Sequence, residues 1–258
     1  DIFPDLAAIE TQFHHLVRIV PANGLVIANG VEAAIERVLG RGCWTSVERF
    51  GPGQAWDVGA VSSDDTFDVV LNGAAQGTVR WDLTGEHNRM NALAALAAAR
   101  HAGVPLATGI DALSRFLGVK RRMEVRGIEG GVTVYDDFAH HPSAFGATLA
   151  GLRKRVGRGR IVAVFEPRSN TMKLGAMQSR LAKSLEDADL VYCHASHLGW
   201  DAERALAPLS SRAAVYAELD PMVEDLGRVL RAGDHVLVMS NGGFGGIHEK
   251  LLARLAAR

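Results

Sequence analysis

Val132-Thr133-Val134-Tyr135-Asp136-Asp137-Phe138-Ala139-His140-His141-Pro142 is the stretch on which the reading of this chain turns. A β-branched apolar run ends in two carboxylates, two imidazoles follow, and a proline opens the next segment. The run predicts a strand. Pro142 suits the first position of a helix, where its missing N–H would have had no partner anyway. Ionisable side chains at the carboxyl end of a strand, facing a helix N-terminus, mark where open α/β sheets bind ligands and phosphates. The same residues equally read as a polar turn with an aspartate cap and two surface histidines, and D-x-x-H-H is not a closed metal pattern.

The pattern repeats outward from there. Ile161-Val162-Ala163-Val164-Phe165, Leu190-Val191-Tyr192-Cys193 and His235-Val236-Leu237-Val238-Met239 are continuous apolar runs, as strands covered on both faces require. Helical patterns at about residues 143–154, 174–186, 221–231 and 247–256 link or follow them. Ahead of Val132, residues 123–128 and Gly130-Gly131 predict a hairpin partner. The expected fold is α/β, a Rossmann-like doubly wound parallel sheet with one hairpin edge. Gly118 and the basic run Lys120-Arg121-Arg122 mark a boundary. On its amino-terminal side, Leu6, Ile9, Phe13 and Leu16 are spaced for an amphipathic helix over residues 4–15. A short strand at 25–28 and helices at 30–39, 88–101 and 111–117 are expected, with alternating runs over 44–82 and a hairpin at Asn72-Gly73. The expected organisation is two domains, residues 1–118 and 119–258.

Basic and acidic residues number 28 and 29, a net charge of −1, and no Lys/Arg block stands out. That argues against a nucleic-acid surface. No apolar run reaches the roughly 20 residues of a membrane span, and Cys43 and Cys193 lie far apart without metal or redox spacing. A reduced, cytoplasmic setting with two packing thiols is expected.

Asp136-Asp137-Phe138-Ala139-His140-His141-Pro142 resembles the D-D-[FY]-[AG]-H-H-P pattern of the Mur ligases, the ATP-dependent amide-forming enzymes of peptidoglycan synthesis. Gly85-Glu86-His87-Asn88-Arg89-Met90-Asn91-Ala92 resembles the family's G-x-H-N-x-x-N-A stretch. Phe165-Glu166-Pro167-Arg168-Ser169-Asn170-Thr171-Met172-Lys173-Leu174-Gly175, Ser240-Asn241-Gly242-Gly243-Phe244-Gly245-Gly246 and the opening Asp1-Ile2-Phe3-Pro4-Asp5-Leu6 resemble the branch that takes a ready-made tripeptide as acceptor. The chain holds neither G-x-x-x-x-G-K-[ST] nor an amino-terminal G-x-G-x-x-G unit. The resemblance therefore implies the carboxy-terminal part of a longer enzyme: the remainder of a P-loop-type central ATPase domain, then the substrate domain. The P-loop and the main Mg2+ ligands are expected upstream, and this piece alone is expected to be inactive.

Residue by residue, the resemblance implies the following. Asn88 and Asn91 lie three apart at a helix start, so their amides point one way; they would meet the adenine of ATP, with His87 beside them. Arg122 would reach phosphate or ribose, and Asp137 the ribose hydroxyls as a paired acceptor. His140 and His141 would lie near the phosphates. Each also has a plainer reading: an Asn cap, a linker charge, a polar turn. Of Ser169, Asn170 and Thr171, one is expected to cap the following helix. Arg168 has the fork geometry for a carboxylate of the acceptor, with Ser169, Asn170, Thr171, His197, Ser240 and Asn241 as further substrate contacts. No metal ligands are expected within the chain. The implied substrates are UDP-N-acetylmuramate and L-Ala-γ-D-Glu-meso-diaminopimelate, joined through an acyl phosphate at the expense of ATP. A ligase using free L-alanine and a non-catalytic nucleotide- or peptide-binding module are the alternatives.

Overall fold

A computed structural model describes residues 3–83, 85–196 and 198–258. The chain divides into two compact units, Asp1–Gly118 and Val119–Arg258. In the first, α1 (Leu6–Ile19) is capped by the Asp5 side chain, which accepts from Ala8 N–H. Strand β1 (Leu25–Asn29), helix α2 (Ala33–Gly40), and strands β2 (Ser46–Phe50), β3 (Trp56–Ser63), β4 (Thr66–Leu71) and β5 (Ala74–Arg80) follow. The strands form one sheet in chain order, parallel from β1 to β3 and antiparallel from β3 to β5. Asn72 and Gly73 both take positive φ (51° and 78°), the conformation that matches a two-residue turn to the twist of its flanking strands. Helix α3 (Glu86–His101) lays Leu93 and Leu96 on Trp56, Phe67, Val69 and Val79 to close the core. Helix α4 (Leu106–Ser114) starts after Pro105, five residues ahead of the 111–117 helix expected from sequence; Leu117 is 99% exposed and takes no part in it.

The second unit is built on a six-stranded sheet. Its strands are β6 (Glu124–Glu129), β7 (Val132–Asp137), β8 (Ile161–Phe165), β9 (Leu190–His194), β10 (Ala213–Tyr216) and β11 (His235–Met239), in the order β10-β9-β8-β11-β7-β6. All neighbours are parallel except β6, which pairs antiparallel with β7 through Gly130-Gly131. Side chains alternate faces with the period of two that a strand imposes. Ile161, Ala163, Phe165, Leu237 and Met239 meet helices α5 (Pro142–Val156) and α7 (Gln178–Ser184). Val162, Val164, Val236 and Val238 meet α9 (Leu219–Val229) and α10 (Ile247–Ala256). Both faces are thus covered, which is why the strand sequences are apolar throughout.

The helix expected over 174–186 is shortened to α7, and a separate turn of helix, α6 (Asn170–Lys173), precedes it. Gly175 separates the two at φ +76°, and a Cβ there would lie 3.0 Å from the Trp200 ring. Strand β10 and the short α8 (Ala202–Leu206) had no counterpart in the sequence reading. The chain leaves β8 toward the α5/α7 face and leaves its neighbour β11 toward the α9/α10 face. That divergence opens a crevice outside the carboxyl ends of the strands, the usual ligand position in an open α/β sheet.

Candidate active site

The crevice is lined by the ends of β7, β8, β9 and β11. From β8 comes Glu166, whose carboxylate accepts from Ser240 Oγ at 2.5 Å and lies 4.0 Å from both Arg168 Nη1 and His194 Nδ1. Arg168 is 54% exposed and lies flat on Gly242, where a Cβ would sit 2.3 Å from Nη1. A side chain at 242 would therefore displace this guanidinium from its resting place. Ser240 is 1% exposed, donating to Glu166 and accepting from Gly242 N–H at 2.8 Å. The hydroxyl of Ser240, expected from sequence as a substrate contact, is thus hydrogen-bonded to the loops after β8 and β11. Asn241 Oδ1 and His194 Nδ1 are buried without a hydrogen-bond partner among the described residues. The His194 ring stacks on Phe244 at 5.7 Å.

Ser169 caps α6, its hydroxyl accepting from Met172 N–H at 3.4 Å. Asn170 is exposed on the first turn and Thr171 half-buried. Trp200 donates from Nε1 to Met172 O at 2.7 Å and so pins the loop after β9 to the loop after β8. His197 lies outside the described residues.

At the end of β7 the two aspartates part. Asp136 is buried against Arg121 Nε (3.3 Å), His248 Nε2 (3.5 Å) and Arg126 Nη1 (3.7 Å). Burial holds His248 below the usual imidazole value, against the pull of Asp136. Asp137 is 3% exposed and accepts from Ala139 N–H (2.8 Å), Met123 N–H (3.0 Å) and Thr148 Oγ1 (3.3 Å). Burial pushes its carboxyl above the ordinary carboxylate value, opposed by those N–H groups, the charge of Arg122 and the Thr148 hydroxyl. Both oxygens of Asp137, the residue for which the sequence reading expected ribose contacts, thus accept hydrogen bonds within the unit. What the loop does present is Arg122, exposed with its guanidinium 5.8 Å from the Phe138 ring, and the two histidines. His140 Nδ1 lies 3.0 Å from Phe138 O. His141 is the cap of α5, accepting Ala144 N–H at 3.4 Å, and the two rings meet edge to face at 5.1 Å.

In the first unit, His87, Asn88 and Asn91 share the amino-terminal part of α3, His87 and Asn91 exposed and Asn88 half-buried. Gly85 precedes them at φ +93°, and Asn88 N–H donates to Gly85 O at 3.2 Å. Sequence reasoning missed Glu166, His194 and Arg121 as parts of the crevice. Glu166 alone carried a visible signal, a carboxylate directly after an apolar strand.

A doubly wound sheet whose charged loops gather at the switch point, preceded by a second α/β unit, defines a two-unit α/β protein, and its sequence places it among known ones. Residues 121–242 match the glutamate ligase domain of the Mur ligases, and this part of the chain is a Mur ligase carboxy-terminal domain. It is 46% identical over 261 residues to the UDP-N-acetylmuramate–L-alanyl-γ-D-glutamyl-meso-2,6-diaminoheptandioate ligase of Escherichia coli K12, all of this chain and 57% of that protein being covered. It is 30% identical over 260 residues to the UDP-N-acetylmuramate–L-alanine ligase of Acidothermus cellulolyticus, across 93% of this chain and 54% of the relative. The crystal structure of a murein peptide ligase from Psychrobacter arcticus superposes with a TM-score of 0.77 at 38% identity, covering 99% of this chain and 56% of that one. The chain thus spans somewhat more than half the length of the relatives it matches. Among the described residues no helix is long and apolar enough to cross a membrane.

Proposed function

We propose that this chain serves an ATP-dependent ligase that joins UDP-N-acetylmuramate to L-Ala-γ-D-Glu-meso-diaminopimelate. The observation that carries this reading is the pairing of the loops after β8 and β11, Arg168 lying on Gly242 and Glu166 bonded to Ser240. These are the two segments that set the tripeptide-accepting branch apart, and they meet at the switch point. The greater identity to the tripeptide ligase, 46% against 30% for the L-alanine ligase, supports the same branch. UDP-N-acetylmuramate and the tripeptide are the proposed small-molecule substrates, and a cytoplasmic setting goes with nucleotide substrates.

For ATP, the first turn of α3 fits an adenine edge: two amides three residues apart each offer a donor and an acceptor. His87 would lie beside the base. Arg122 is exposed for phosphate, with His140 and His141 close by in the same unit. Asp137 takes a different part from a nucleotide contact: it fixes the loop that presents them. Bound ATP would supply the γ-phosphoryl group that activates the lactyl carboxylate of UDP-N-acetylmuramate as an acyl phosphate, with ADP leaving. Mg2+ finds no set of three His, Cys, Asp or Glu side chains among the described residues. What these residues supply is orientation and charge neutralisation, Arg168 for a carboxylate of the acceptor and Asn170, Thr171 and Asn241 around it. Residues 1–118 and 119–258 would be two domains, the remainder of the central ATP-binding domain and the peptide-substrate domain.

The test is ADP release by the full-length gene product with UDP-N-acetylmuramate, comparing the tripeptide with free L-alanine. Release that depends on the tripeptide supports the proposal. Preference for L-alanine would overturn the branch, and no turnover with either would point to a binding module.

A further inference from the structure

Arg121 ties several of the second unit's loops together. Its Nη2 donates to Ser240 O at 2.6 Å and to Gly242 O at 2.8 Å, and its Nε reaches Asp136 at 3.3 Å. The guanidinium lies 5.1 Å from the Phe138 ring centroid. Its backbone is used as well: N–H donates to Glu124 Oε2 at 2.9 Å and C=O accepts Phe138 N–H at 2.8 Å. To do this it takes φ +61°, with Met123 two residues on at +53°. Left-handed backbone is strained for a non-glycine residue, so two such residues in three persist only because the surroundings over-determine them.

From this geometry, and resting on the ligase reading above, we infer that Arg121 is a positioning residue that sets the nucleotide-side and acceptor-side groups of this unit together. On one side it supports Phe138, over which Arg122, the next residue, also lies. On the other it holds the carbonyls of the 240–242 turn, and Gly242 is the floor on which Arg168 rests. A shift of Gly242 therefore moves Arg168, and a shift of Phe138 moves Arg122. One guanidinium controls both. Lysine cannot replace it: a single ammonium that bonds two carbonyls cannot also reach Asp136 in the plane of a fork and stack on Phe138.

The test uses Arg121→Ala and Arg121→Lys. In this chain, amide exchange at Gly242, whose N–H is held by Ser240 Oγ, and at Phe138 should speed about tenfold or more in both variants, while the β8 amides keep their protection. In the full-length ligase, both should raise the KM for ATP and for the acceptor together and lower kcat about tenfold or more, as a small misplacement of reacting groups does. Arg122→Ala should raise only the KM for ATP, and Arg168→Ala only that for the acceptor. If alanine unfolds the unit, lysine decides, because it keeps a cation beside Asp136. Wild-type exchange and kinetics in the lysine variant would overturn the inference, reducing Arg121 to a counter-charge. So would loosened loops with unchanged KM values. Should the wild-type protein turn over neither acceptor, the ligase reading fails while the exchange experiment still decides whether Arg121 clamps the loops.

Discussion

His141 caps α5 with an imidazole nitrogen, and only the neutral ring can accept Ala144 N–H. Protonation would remove the acceptor and place a positive charge at the positive end of the helix dipole. Burial, and then the charge of His140, hold His141 below its ordinary 6.5. The sign follows: the unfolded chain takes up a proton first, so stability is lost as pH falls below about 6.5 toward the folded-state value. His141→Asn keeps a cap without a titrating ring. Urea unfolding at about pH 7.5 and about pH 5 should show a loss in wild type that exceeds the loss in the variant. Equal losses would sink this account of the cap. Asp137 makes a related case. Removing it with Asp137→Ala leaves the N–H groups of Met123 and Ala139 unpaired, an expected loss of about 2 kcal/mol or more in urea unfolding. Unchanged stability would return Asp137 to the role of ligand contact. The sequence placed both residues at a strand end, but it did not show where their atoms point. Beyond Ala139, two residues on, the partners of Asp137 are 14 residues back at Met123 and 11 ahead at Thr148, and no local pattern links these two.

At the scale of elements, what was legible followed from periodicity and from turns with their own chemistry. The buried strands β8 and β11 and the helix α10 fall at the residues read from sequence, because unbroken apolar runs and a 3.6-residue stripe have few other solutions. Asn72-Gly73 announced its hairpin for the same local reason. The division of residues 170–184 was not legible. Gly175 in a helical pattern is tolerated as often as it breaks one, and here the outcome was set by Trp200, 25 residues on, packing where a Cβ would stand. Strand β10, four residues at the sheet edge and half-buried throughout, has too short a pattern to see. Gly242 differs from Gly175 in lacking a positive φ, so alanine there is sterically opposed only by the tip of a flexible, exposed arginine. Gly242→Ala should displace Arg168 with little change in melting temperature, and raise the acceptor KM about tenfold. A normal acceptor KM in a fully folded variant would remove Arg168 from the proposed binding role.

Across the whole molecule the two units differ in how completely each covers its own apolar surface. In the second, helices lie on both faces of the sheet and two buried clusters back onto it. The first has its core on one side, under α3, while Leu6, Phe13, Leu16 and Ile19 of α1 are each more than half exposed. These four recur at helical spacing, and Phe3 adds to them at the chain's start. A contiguous apolar stripe of this kind favours association, whereas scattered exposed residues do not. Residues 119–258 expressed alone should therefore be monomeric and unfold cooperatively in urea, as a domain with a closed core does. Residues 1–118 alone should self-associate and bind an apolar dye. Replacing Phe13 and Leu16 by glutamate tests the cause, since both sit on the exposed side and carry none of the core. If the stripe is responsible, the double variant becomes monomeric and loses the dye while helix content holds. If association persists, pairing at the β1 edge of the sheet, which has no neighbouring strand among the described residues, would replace α1 as the explanation.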